Sequence, residues 1–181
     1  MPTLTIADYL KYANLQMAAE AFLTNPDGTV KTDLITALKT GNNYASRFTD
    51  SEALKFIDPV DGWTVVAQKA NTSTGFSGTL FRNNTTGELV LSFRSTEFID
   101  DATRDSQATN SLEVFQHGWA FGQIDDMETW YAQLNGAGGP LAGKHFSVTG
   151  YSLGGHLATA FNLLRQADGT QGRVDQVVTF N

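Results

Sequence analysis

Apolar positions recur along this chain with two different periods, and the change of period divides it. Ile6, Leu10, Ala13, Met17 and Ala21 step by three and four residues, which predicts an amphipathic helix, with Thr5 and Asp8 at capping spacing. Asn25-Pro26-Asp27-Gly28 is a turn cluster that ends it. A short helix is predicted from Asp33 to Lys39, stopped by Gly41. Another starts at Thr49, with Glu52 at capping-box spacing, and runs to Ile57 before Pro59. Then the period shortens to two. Trp63 to Lys69 alternates, and Gly78 to Arg82 and Leu89 to Phe93 follow, the last two separated by Asn83-Asn84-Thr85-Thr86-Gly87. That pattern predicts an antiparallel meander.

The helical period returns at Ala120, Ile124, Met127, Tyr131 and Leu134, a long helix ended by Asn135-Gly136-Ala137-Gly138-Gly139-Pro140. His145 to Thr149 reads as a short strand. Leu153 to Ala167 reads as a helix that buries Leu153, Leu157, Ala160, Phe161 and Leu164, and Val174 to Phe180 as a last apolar strand. Helices, then antiparallel strands, then β-α-β imply an α/β fold: a mixed, mostly parallel sheet with helices on both faces. Neither an internal repeat nor a linker divides residues 1–181, so they are expected to form a single domain.

Composition narrows the function. The 181 residues are 41% hydrophobic, which suits a globular core. Twelve Lys+Arg face 19 Asp+Glu, a net charge of -7, which argues against nucleic acid and against electrostatic docking on anionic membranes. Contact with neutral lipid stays open. Cysteine is absent, so disulfides and thiolate metal sites are excluded and the compartment stays open. The sequence has no apolar run of membrane-spanning length and no N-terminal signal peptide pattern. Localisation is unknown on these grounds, and no cofactor or metal is called for.

The chemistry concentrates in Gly150-Tyr151-Ser152-Leu153-Gly154. This G-x-S-x-G stands between a predicted strand and a predicted helix, the context of a nucleophile elbow. A serine on a strained strand-to-helix turn projects its hydroxyl above the sheet, and side chains two residues either side would collide with neighbouring backbone. The helix N-terminus then aims free N–H groups at developing negative charge. Ser152 is therefore the candidate nucleophile, Gly150 and Gly154 the elbow glycines, and the Leu153 amide the first oxyanion donor.

Three segments resemble the class 3 lipases of the α/β-hydrolase superfamily. Val148 to His156 is similar to that family's elbow, Val90-Leu91-Ser92-Phe93-Arg94-Ser95-Thr96 to its strand and oxyanion loop, and Val114-Phe115-Gln116-His117-Gly118-Trp119 to its V-H-x-G-F. Order and spacing agree over about residues 60 to 181, with Ser95 where the family usually has glycine. The resemblance implies an α/β-hydrolase-type fold and a carboxylic-ester hydrolase, with Thr96 as second oxyanion donor and His117 as structural support. It implies triacylglycerol as substrate class, while phospholipid, simple ester and polyester substrates suit the visible residues equally.

None of the three histidines suits the catalytic base. His145 opens the strand whose far end carries Ser152, on the order of 20 Å away at about 3.3 Å per residue. His156 lies one turn along the elbow helix and reads as a packed, hydrogen-bonded side chain. In this superfamily the acid and then the base follow the elbow. The resemblance therefore places both beyond Asn181, with the given sequence stopping within the strand after the elbow helix and expected to be the N-terminal part of a longer protein. An extracellular destination would then need a C-terminal signal.

Weaker signals remain. Phe98 to Leu112 falls where the family carries a lid, and a solvated loop is the alternative. Asp100, Asp101 and Asp105 read as a solvated acidic loop rather than a cation site. Asn71-Thr72-Ser73 and Asn84-Thr85-Thr86 match glycosylation sequons, relevant only in a eukaryotic secretory setting. Trp119, Phe121 and Trp130 read as core residues. The competing reading of the whole chain is a non-catalytic hydrolase-fold fragment that serves as an assembly or lipid-binding module.

Overall fold

The computed structural model of the protein describes residues 3–42, 46–95 and 119–180. Helices α1 (Ile6–Glu20), α2 (Leu34–Thr40) and α3 (Asp50–Phe56) come first. Strands β1 (Trp63–Lys69), β2 (Gly78–Asn83) and β3 (Leu89–Phe93) follow, then α4 (Phe121–Asn135), β4 (Phe146–Tyr151), α5 (Leu153–Ala167) and β5 (Val174–Phe180). Both predicted capping boxes form. The Thr5 side chain accepts from the Asp8 amide and the Thr49 side chain from the Glu52 amide, while each carboxylate reaches back to its own cap. Gly41 ends α2 at φ 60°, a backbone region only glycine enters cheaply.

The strands form one sheet in the order β1-β2-β3-β4-β5. β1–β2 and β2–β3 are antiparallel, and β3–β4 and β4–β5 are parallel. Only β2 runs against the other four, so the sheet is mixed and mostly parallel in direction. Alternation along the strands feeds two apolar layers. Phe81, Val90 and Val178 face α1, α2 and α3, with Leu15, Ala19 and Leu38. Leu80, Leu91, Phe93, Phe146 and Val148 face α4 and α5, with Met127, Trp130, Leu157 and Phe161. Helices thus cover both faces, as an α/β fold requires. No described helix is long and apolar enough to cross a membrane.

Two expectations are corrected. The inner face of α1 is Tyr12, Leu15, Gln16, Ala19 and Glu20, whereas Ile6 (89% exposed) and Leu10 (61%) point outward. The apolar period is real, but two buried polar side chains shift the inner face away from it. Phe121, expected in the core, opens α4 at 55% exposure, while Trp130 is buried as expected.

Candidate active site

β4, between β3 and the edge strand β5, leads into the elbow. Phe93 of β3 pairs with Gly150, and Tyr151 pairs with Phe180 of β5. At Ser152 the backbone turns to φ 51°, ψ −119°, and α5 begins with the next residue. A positive φ at a non-glycine residue is strained and persists only where the surroundings over-determine it. Here they do. The Ser152 amide donates to the Phe180 carbonyl at 3.0 Å, and the His156 amide donates to the Ser152 carbonyl at 3.1 Å. Ser152 is exposed.

The flanking glycines are required by contact. A Cβ on Gly150 would stand 2.1 Å from the Gly154 carbonyl oxygen, and one on Gly154 would stand 2.2 Å from the Phe93 carbonyl oxygen. Both approaches are against backbone, which cannot swing aside. The pattern read in the sequence is thus the steric signature of strand β4 folding back onto the first turn of α5, with the end of β3 pressed against the same turn.

No side chain caps α5 among the described residues. The amides of its first turn, Leu153 included, have no intrahelical acceptor by helix geometry, and the helix dipole adds partial positive charge there. An anion forming beside Ser152 would meet these groups. Thr96 and His117, expected to complete and support the oxyanion site, lie outside the described residues. So do Phe98 to Leu112, Asp100, Asp101 and Asp105.

The described histidines sit apart from one another. His145 precedes β4 at the sheet edge opposite Ser152 and pairs with Asp175 at 3.0 Å on an exposed surface. His156 packs against Trp119 with ring centroids 4.9 Å apart. Desolvation lowers its pKa, which disfavours the charged ring. The expectation that His156 is hydrogen-bonded is corrected: its Nε2 is buried without a partner among the described residues.

A buried polar chain behind the elbow escaped sequence reasoning. Ser92 Oγ donates to Gln16 Oε1 at 3.0 Å, and Gln16 Nε2 donates to Glu20 Oε1 at 2.7 Å. The same Glu20 oxygen accepts the Ser95 amide at 3.0 Å. The available signal was two long polar side chains one turn apart on a helix, beside Leu15 and Ala19.

A parallel strand, a strained exposed serine and an uncapped helix N-terminus in that order make an α/β-hydrolase-like arrangement. No family model matches the sequence, and neither does any curated protein. Among solved structures, a lipase from Rhizopus microsporus var. chinensis aligns at 17% identity and a TM-score of 0.43, covering 98% of this chain and 58% of that one. A mutant form of MDLA from Penicillium cyclopium aligns at 14% identity and a TM-score of 0.43, covering 97% of this chain and 62% of that one. This chain spans about three-fifths of the length of each. Likeness this distant assigns no residue a role.

Proposed function

We propose that the protein is a carboxylic-ester hydrolase of the lipase/esterase type, working through an acyl-enzyme on Ser152. The observation that carries this reading is the positive φ of Ser152 on an exposed turn whose flanking glycines leave no room for a Cβ. Nothing in a plain strand-to-helix connection calls for such strain. Ser152 Oγ attacks the ester carbonyl, its proton passes to a base, and the oxyanion is held by the Leu153 amide and by Thr96. Collapse of the tetrahedral intermediate expels the alcohol, and water then releases the acid by the same route. On this reading residues 1–181 are one hydrolase domain of the class 3 lipase kind, His117 supports the oxyanion loop, and the triad acid and base follow Asn181 in the same polypeptide. Acyl lipids are the substrate class that the motif resemblance favours.

A second reading draws on the two described histidines. One lies at the wrong sheet edge and the other is packed against Trp119. If no base reaches Ser152, the protein is a lipid-binding or assembly module. One experiment separates the two: turnover of p-nitrophenyl esters by wild type and Ser152→Ala, with a fluorophosphonate probe and intact mass. Loss of turnover by a factor of about 10³ or more and one adduct on Ser152 are expected for the hydrolase. No adduct, with turnover equal in both proteins, would leave the binding module.

A further inference from the structure

The end of β3 is gripped from both sides. On one side the Phe93 and Arg94 carbonyl oxygens lie against Gly154 in the first turn of α5. On the other side the Ser95 amide donates to the Glu20 carboxylate, which closes α1. Glu20 is 5% exposed, Gln16 is 5% exposed and Ser92 is fully buried. The Arg94 side chain is also buried, and its charge acts favourably on Glu20.

An ionised carboxylate is an expensive choice here. Burial disfavours its charge, and the partial negative end of α1 disfavours it again. A leucine would suit the packing of helix on sheet at less cost. What the carboxylate supplies instead is a short, fixed acceptor. Oε1 takes two N–H donors at once, and Gln16, held by Ser92, keeps it from rotating.

We propose that Glu20 is a positioning residue for the hydrolase. Through the Ser95 amide it fixes the end of β3 against the first turn of α5, and so fixes the edge of the site where the oxyanion forms beside Ser152. This rests on the serine-hydrolase reading. Gln16 and Ser92 hold Glu20 in place, and none of the three touches substrate.

The test uses the intact polypeptide with Glu20→Leu, Glu20→Gln and Ser95→Pro. Leucine removes the acceptor, glutamine keeps an acceptor oxygen, and proline removes the donor. Amide exchange at Ser95 is expected to speed up by about tenfold or more in Glu20→Leu and to stay near wild type in Glu20→Gln. Ser152-dependent kcat is expected to fall by about ten- to a hundredfold in Glu20→Leu with KM little changed, and Glu20→Gln is expected to restore most of it. Should Glu20→Leu fail to fold, Ser95→Pro carries the same kinetic expectation. Unchanged Ser95 exchange in Glu20→Leu overturns the brace whatever the enzyme does. Faster exchange with full kcat overturns the positioning role alone. Wild-type turnover that ignores Ser152 overturns the hydrolase reading first, and the positioning role with it.

Discussion

Ser152 carries its strain in one torsion, and that torsion can be tested without substrate. A residue with a side chain loses about 1 kcal/mol or more at φ 51°, and glycine loses almost nothing. Ser152→Gly should therefore be more stable than Ser152→Ala by about 1 kcal/mol in urea unfolding, the reverse of their order in a helix interior. Equal stabilities would mean that the turn is not strained. Two glycines, one in the β2–β3 turn and one beside Ser152, separate space from conformation. Gly87 stands at φ 73° with open space, nothing within 4 Å, where a methyl would go, so Gly87→Ala should cost only about 1 kcal/mol. Gly154→Ala drives a methyl into the Phe93 carbonyl and should cost about 3 kcal/mol or more, or prevent folding. At this scale the sequence was eloquent, because the sterics of a tight turn are local and leave glycines at fixed offsets. The oxygen that excludes the methyl was not legible, since Phe93 lies far away in the chain.

Elements were legible where their signals are local. Both capping boxes, the stop at Gly41, and the spans of β3, α5 and β5 follow from adjacent residues. The orientation of α1 was not, because Gln16 and Glu20 are buried through partners at β3 and just beyond it that no helical period reveals. The packing of α4 on α5 holds a second buried polar group. Arg165 is 4% exposed, pairs with Glu128, and lies 3.1 Å from Asp168 by its Nε. That last contact is an ion pair without hydrogen-bond geometry, since Nε has no hydrogen-bond partner among the described residues. The guanidinium also stacks 4.5 Å from the Tyr131 ring centre and 4.7 Å from that of Phe161. Arg165→Ala should cost about 2–4 kcal/mol, through lost packing and a stranded Glu128. Arg165→Met strands Glu128 as well but keeps the volume, so it should cost about 1 kcal/mol or more less than alanine. Chemical unfolding of the two variants checks the order, and a costlier methionine would put the energy in the charges.

Across the whole molecule, carboxylates respond to pH in two opposite senses. Hydrogen bonds from backbone amides hold Asp8, Glu52 and Asp58 below their ordinary values. What they contribute is present above those values and lost as pH falls. Burial raises Glu20 above the ordinary 4.5. Its contribution is complete below 4.5 and lost as pH rises through the raised value. Wild type should therefore lose stability relative to Glu20→Gln as pH climbs from 4.5, a trend that urea titrations at successive pH values would read directly. A rising difference would mean the carboxylate is stabilised by its partners in the ionised form. The class of fold could be read from the order of periods, but the way α1 seats on the sheet could not. Tyr12 reaches Gln176 across 164 residues, and Glu20 reaches Ser95 across 75. The strands, by contrast, lie side by side in the order in which they are made. A nascent chain can therefore add each strand to the edge laid down just before it, without threading. The helix synthesised first lacks polar partners of its inner face until Ser95 and then Gln176 have left the ribosome, so its seating is completed only with the strand made last.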